Sequence, residues 1–199
     1  MNNELLIDEA TFVVVDVETT GMSPISDRIT EIAMIKVRNG QIVDELSTLV
    51  NPLVTIPTFI TDLTGIDNVA VYDAPTAREV VPYVQEFLSD STFTAHNAAF
   101  DWAFVSNTAR RERDIELINN RLCTVKLSHR ILPFLPSKSL APVARHLDIV
   151  IPQRHRASGD AFATAHILIK FLSYLKQKYA LRTVGDILTF QNLASIPMN

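Results

Sequence analysis

The residues with the clearest chemical potential are Asp16-Val17-Glu18, at the end of the short apolar run Phe12–Val17. Strand side chains alternate, so Asp16 and Glu18 share a face. Thr19-Thr20-Gly21 then ends the strand. Two carboxylates side by side repel each other unless a cation neutralises them, and hard divalent ions such as Mg²⁺ prefer oxygen ligands of this kind. Alone, an Asp-x-Glu is also what a pair of solvated acids looks like, because short motifs match often by accident.

Two further clusters follow. His96-Asn97-Ala98-Ala99-Phe100-Asp101 sits where a strand meets a helix. Asn97 can cap that helix, Asp101 falls one turn into it, and Phe104 lies on the same side. The bland reading is a cap, an acid favouring the helix N-terminus, and core aromatics. The third cluster is His155-Arg156-Ala157-Ser158-Gly159-Asp160. Residues i and i+5 on one helix point about 140° apart. His155 is therefore expected on a loop and Asp160 in the first turn of the following helix, with Ser158 as cap and Gly159 giving the loop freedom. Histidine as a residue type titrates near neutrality and suits a general base. The competing reading is a basic surface loop ahead of an ordinary cap.

These residues need a scaffold, and the pattern around them gives one. Phe12–Val17 reads as a buried strand and Ile29–Val37 as a second. Asn39-Gly40 marks a tight turn into a third strand over Gln41–Val50, so the chain opens with a three-strand antiparallel meander. Asn51-Pro52 and Ile56-Pro57 mark a loop. Thr76–Leu88 reads as a helix that Pro82 should kink or shift. A strand is expected at Ser91–Ala95, a helix from Ala98 to about Arg111, and a strand at Arg121–Lys126. A loop at Pro133–Ser137, a short helix at Leu140–Leu147 and a long helix from Gly159 to about Tyr179 complete the series. Strands first, then strands mixed with helices, predict an α/β sheet with helices packed on it. The expected division is a domain over residues 1–180 and a tail over 181–199. In the tail, Thr183 and Asp186 have capping-box spacing. Leu181, Val184, Ile187 and Leu188 form a stripe that could pack on its own domain, a polymerase or a second copy of the chain.

Taken in order, Asp16 and Glu18, Asp101, then His155 and Asp160 resemble the DEDDh, or DnaQ-like, 3′–5′ exonucleases of the ribonuclease H-like superfamily. The resemblance runs from about Thr11 to Ala165 and is carried by FVVVDVETTG (Phe12–Gly21), HNAAFD (His96–Asp101) and HRASGDA (His155–Ala161). It implies a ribonuclease H-like mixed sheet. It also implies two divalent cations, Mg²⁺ or Mn²⁺, held by Asp16, Glu18, Asp101 and Asp160, with His155 as general base and a nucleoside 5′-monophosphate as product. Substrate contacts are implied for Thr19 and Thr20 and for the loop motif Thr64-Gly65-Ile66, which in such enzymes lies beside the terminal base. Asn97 and Phe104 are further candidates, Phe104 by stacking on bases. The similarity is greatest to the proofreading branch, as in DNA polymerase III epsilon, which favours DNA over RNA and a single-stranded 3′ end as partner, with a polymerase subunit as a second; a free-standing DNA repair nuclease and a 3′–5′ exoribonuclease are the alternatives within the class.

Composition sets outer bounds. With 47% hydrophobic and 20% charged residues the chain is of ordinary globular type. A net charge of −4 argues against a protein that coats long nucleic acids, but not against one that grips a strand end with metal supplying the positive charge. Cys123 has no second cysteine to pair with, no apolar run approaches a membrane span, and the first residues lack the pattern of a signal peptide. A reducing, cytoplasmic setting is expected; oligomeric state is open. Neither a phosphate-binding glycine loop nor an HExxH zinc motif is present. Two other classes stay in view: a binding module that kept the fold without the chemistry, and an endonuclease of the ribonuclease H type.

Overall fold

The structure is a computed structural model and describes residues 3–193. Strands β1 (Thr11–Thr19), β2 (Ile29–Arg38) and β3 (Gln41–Leu49) form the expected antiparallel meander. Asn39 and Gly40 both take positive φ, 49° and 68°, as a two-residue hairpin turn needs. On the other side of β1, β4 (Thr92–Ala95) and β5 (Arg121–Cys123) pair in parallel, giving the order β3-β2-β1-β4-β5.

Both faces of β1 are covered, which is why it reads as an unbroken apolar run. Val13, Val15 and Val17 pack with helices α2 (Ala77–Leu88) and α3 (Ala98–Arg113), through Val80, Val84, Phe104 and Val105. Phe12 and Val14 pack on the opposite face against Ala157, Ala161, Ala165 and Leu168 of α6 (Ala157–Tyr179). Asp16 and Glu18 continue that second register, so alternation aims them toward the N-terminal end of α6.

Pro82 neither ends α2 nor shifts its start. The helix begins after Thr76, whose backbone N–H donates to Glu79 at 2.8 Å in a capping box. Proline leaves the carbonyl four residues earlier without its helical donor. That carbonyl, on Arg78, accepts instead from Arg113 Nε at 2.7 Å.

The loop expected around Asn51–Pro57 is followed by a helix not among those expected, α1 over Thr58–Thr64, ending at Gly65 with φ 73°; seven residues are too few to show a period in the sequence. Three expectations need correction. β5 stops at Cys123 and Thr124–Ile131 is helix α4, whose buried residues Thr124, Leu127, Ser128 and Ile131 follow helical spacing. Helix α6 begins at Ala157 with Arg156 at the cap position, so Ser158 lies inside the first turn. Gly159, also within the helix, does not loosen a loop. A Cβ there would collide with the Gln153 backbone carbonyl, so this glycine lets the preceding loop pack against the helix.

Helix α5 spans Leu140–His146, close to expectation. In α7 (Val184–Phe190) the Thr183/Asp186 capping box is present, and Val184 and Ile187 are buried in the same core as α6. Backbone bonds tie this segment to the N-terminal residues, Ile7 N to Arg182 O at 2.9 Å and Val184 N to Leu5 O at 3.0 Å. This part of the apolar stripe is thus covered by the chain itself. The remainder of the tail, 194–199, lies outside the described residues. Among the described residues no helix is long and apolar enough to cross a membrane.

Candidate active site

β1 outruns β4. Their ladder ends at Val14–Thr94, and β1 continues to Thr19 with one flank free. Asp101, in the first turn of α3, fills part of that flank, its Oδ1 accepting from Val17 N at 3.3 Å. Asp160 enters from the first turn of α6 on the other side. Carboxylate oxygens of Asp16, Glu18 and Asp160 all lie within 4.8 Å of one another. Segments 16–18, 101 and 155–160, far apart in sequence, thus converge on the end of β1.

The charges are poorly compensated. Burial pushes Asp16 well above the usual carboxylate range, and Asp101, Asp160, Glu18 and Glu31 add to the shift. Glu18 rises to about 8, through burial and then through Asp160, Glu31 and Asp101, with the Arg156 charge opposing. Asp101 rises to about 7 through burial, although its own N–H and that of Val17 oppose this. Asp160 is raised by burial as well, against a hydrogen bond from the His155 backbone. Its Oδ1 is buried without a hydrogen-bond partner. Clustered acidic oxygens, one of them orphaned, are the donor set that a hard divalent cation takes. The residues fit such an ion.

His155 lies on the loop before α6, as expected, with a left-handed backbone, φ 61°. Arg156 does not stand ready for a phosphate. Its guanidinium is engaged by Glu31, Nη2 to Oε1 at 2.7 Å and Nε to Oε2 at 3.1 Å.

The expected substrate residues divide. Thr19 and Thr20 are buried and build the turn, Thr19 Oγ1 donating to Gly21 O at 2.6 Å and Thr20 Oγ1 accepting from Arg28 N at 3.0 Å. Thr64 closes α1, its hydroxyl bonded to Ile60 O and to Ile66 N. Gly65 is exposed, but Ile66 is buried with Ile56, Ile60 and Val71, so its side chain holds the loop from within and is not presented to a base. Asn97 is exposed at the cap position of α3 with φ 78° and makes no side-chain cap. Phe104 is corrected outright: it is 1% exposed, packed in the core with Phe100 4.9 Å away, and has no face for a base. His96 is also spoken for. Nε2 meets Lys138 O at 2.9 Å and Nδ1 meets Thr124 Oγ1 at 2.8 Å. A carbonyl only accepts, so Nε2 carries the proton and Nδ1 accepts from Thr124. Burial holds this imidazole down to about 4, and it stays neutral.

A mixed sheet with an acidic cleft at the end of its central strand is an arrangement suited to metal-assisted phosphodiester chemistry. Residues 13–168 match the exonuclease family RNase_T. The DNA polymerase III PolC-type of Caldanaerobacter subterraneus is 41% identical over 179 residues, 90% of this chain but 13% of that protein. The chain therefore spans only about an eighth of the PolC-type relatives it matches. The DNA polymerase III subunit epsilon of Aquifex aeolicus is 35% identical over 97% of this chain and 93% of its own length. Among solved structures, exonuclease X in complex with 5′-overhanging duplex DNA superimposes with a TM-score of 0.71 at 26% identity, covering 89% of this chain and 99% of that one. The chain belongs to this exonuclease family and has its ribonuclease H-like fold. Its similarity to a DNA polymerase III subunit epsilon goes with a carboxylate cluster suited to divalent metal.

One residue of the site was not picked out by sequence reasoning. Glu31 is buried on β2 directly opposite Glu18. The available signal was a lone acid inside the apolar run Ile29–Ile35, which is rarely buried without a partner.

Proposed function

We propose that this protein trims DNA from a single-stranded 3′ end, one nucleoside 5′-monophosphate at a time, with Mg²⁺ or Mn²⁺ held by Asp16, Glu18, Asp101 and Asp160. The observation that carries this is the convergence of these acids with too little positive charge to balance them. When bound, a pair of divalent ions supplies Lewis acidity to the phosphoryl group and compensates charge on the attacking and leaving oxygens. His155 takes the proton of the attacking water as the new P–O bond forms. The bond from phosphorus to the 3′ oxygen breaks, and that oxygen is protonated from solvent. The turn that Thr19 and Thr20 build from within and the exposed turn at Gly65 wall the terminal nucleotide, with Asn97 at the rim.

DNA is preferred to RNA as substrate because the epsilon and PolC-type relatives are DNA polymerase III proteins and exonuclease X was solved on DNA. The same relatives support a proofreading role beside a polymerase subunit, in a cytoplasmic setting.

The test is a matched pair of 5′-labelled single strands, DNA and RNA, incubated with Mg²⁺, Mn²⁺ or chelator, alongside Asp16→Ala and His155→Ala. A metal-dependent ladder shortening from the 3′ end, faster on DNA, lost in Asp16→Ala and slowed about 100- to 10,000-fold but still measurable in His155→Ala, is expected. A faster RNA ladder would reassign the substrate. Cleavage of a strand blocked at both ends would mark an endonuclease, and no cleavage by folded protein would mark a binding module.

A further inference from the structure

Glu31 is the acid of the cleft that has no part in the ligand set above. It receives three hydrogen bonds: two from the Arg156 fork and one from Ala157 N at 2.8 Å. Its side chain is 4% exposed and that of Arg156 36%. A buried carboxylate satisfied by a guanidinium and a backbone N–H is held in one geometry. Its two partners are Arg156, next after His155 in the chain, and the first residue of α6, which carries Asp160.

The other side of His155 is also fixed. The Gln153 backbone rests against Gly159, where no side chain could stand. Between these anchors His155 holds a left-handed φ of 61°, a conformation a non-glycine residue keeps only when its surroundings over-determine it. The sheet, through Glu31, thus reaches across to the one loop of the site that must aim an imidazole.

We propose that Glu31 and Arg156 are positioning residues, a clamp from β2 to the α6 N-terminus that fixes where His155 stands. The proposal rests on the nuclease reading given above and on His155 as its base. The clamp acts on orientation: misplacing a reacting group by about 1 Å costs about a hundredfold in rate. Arginine is required because its fork engages both carboxylate oxygens, which lysine cannot do.

The experiment measures kcat and KM on 5′-labelled single-stranded DNA with Mg²⁺ for Glu31→Gln and Arg156→Ala, each alone and in a His155→Ala background. Alone, each is expected to lower kcat by about 10- to 100-fold with KM nearly unchanged. In the His155→Ala background the same substitutions should cost nothing further, since a clamp has no effect once its cargo is gone. Equal fold losses in both backgrounds would overturn the proposal, and so would full activity in Arg156→Lys. A second readout needs no turnover: amide exchange at Ala157, buried and bonded to Glu31, is expected to quicken at least about tenfold in Arg156→Ala while exchange in the middle of α6 stays unchanged. Unchanged exchange at Ala157 would overturn the clamp. An inactive wild type would instead sink the nuclease reading, leaving exchange to decide the clamp.

Discussion

Glu18 and Glu31 stand directly opposite one another across the β1–β2 ladder, and it is Glu31 that holds the Arg156 guanidinium. Like charges paired across strands destabilise a sheet. Here the cation has gone to one partner, and the other is left with the acids of the cleft. Burial first, and then the neighbouring acids Asp160, Glu31 and Asp101, raise Glu18 from 4.5 to about 8, while burial raises Asp101 from 3.8 to about 7.

The pH dependence follows. For an acid whose folded pKa is raised, the folded state binds more protons than the unfolded one between the two values. The Glu18 contribution to the stability of the metal-free protein therefore falls as pH rises from about 4.5 to about 8, and Asp101 adds a fall of the same sign between about 3.8 and about 7. A divalent ion in the cleft favours the ionised acids and should flatten the slope while raising the melting temperature. Melting curves with chelator and with saturating Mg²⁺ across this range test both statements. A chelated protein that melts higher at pH 8 than at pH 5 would contradict the burial of these charges.

Asp101 has two tasks that substitution can separate. Its charge belongs to the cleft, and its Oδ1 satisfies Val17 N. Asp101→Asn keeps an acceptor for Val17 and removes the charge; Asp101→Ala leaves the buried N–H unmet, at about 1–3 kcal/mol. Both are expected to lose activity by at least about a hundredfold, the upper end of what loss of a metal site's supporting group costs. Only the alanine variant should melt below wild type. Chelated melting curves beside an exonuclease assay check this, and an active Asp101→Asn would remove Asp101 from the proposed ligands.

Gly159 is the position where a single methyl group should matter most. In Gly159→Ala the new Cβ meets the Gln153 carbonyl, a backbone atom that cannot rotate away. The loop carrying His155 must shift, with overpacking costs of about 1–3 kcal/mol. Activity should fall more steeply than stability, because the displaced loop carries the proposed base. Comparing kcat with the unfolding midpoint decides this; a variant that melts lower yet turns over at the wild-type rate would separate the loop from catalysis.

The legible parts of the fold and site were those written in local periods. Alternation put Asp16 and Glu18 on one face, and the i,i+5 spacing put His155 on a loop and Asp160 in a helix, as the structure has them. What the sequence concealed depends on tertiary partners. Glu31 shows no period of its own, and its meaning comes from Arg156, 125 residues away. Phe104 carries the same letters whether it faces a base or the core, and packing against the sheet puts it inside. Helix α4 was in principle readable, since its buried positions keep helical spacing, but β-branched Thr124 and Val125 directly after an apolar pair mimic a strand. Pro82 did not shift the helix start, and the Arg78 carbonyl that it leaves without a helical donor found one on α3.

Gln191 closes the free edge of the sheet. Its Oε1 accepts from Cys123 N at 2.9 Å and its Nε2 donates to Arg121 O at 2.8 Å, the two bonds a neighbouring strand would have made to β5. The side chain is buried, and α7 delivers it. Unpaired strand edges invite pairing with another chain. Gln191→Ala should cost about 1–3 kcal/mol for the buried N–H left unmet and should raise self-association at high protein concentration. Gln191→Glu keeps the acceptor for Cys123 N but sets a carboxylate against the Arg121 carbonyl, so it should destabilise too. Its added charge should oppose edge pairing. Unfolding midpoints with light scattering over a concentration series separate the two effects: both variants melting lower but only the alanine form associating is the expected result. An alanine variant that associates no more than wild type would mean that the shortness of β5, not its glutamine cap, keeps this edge from pairing.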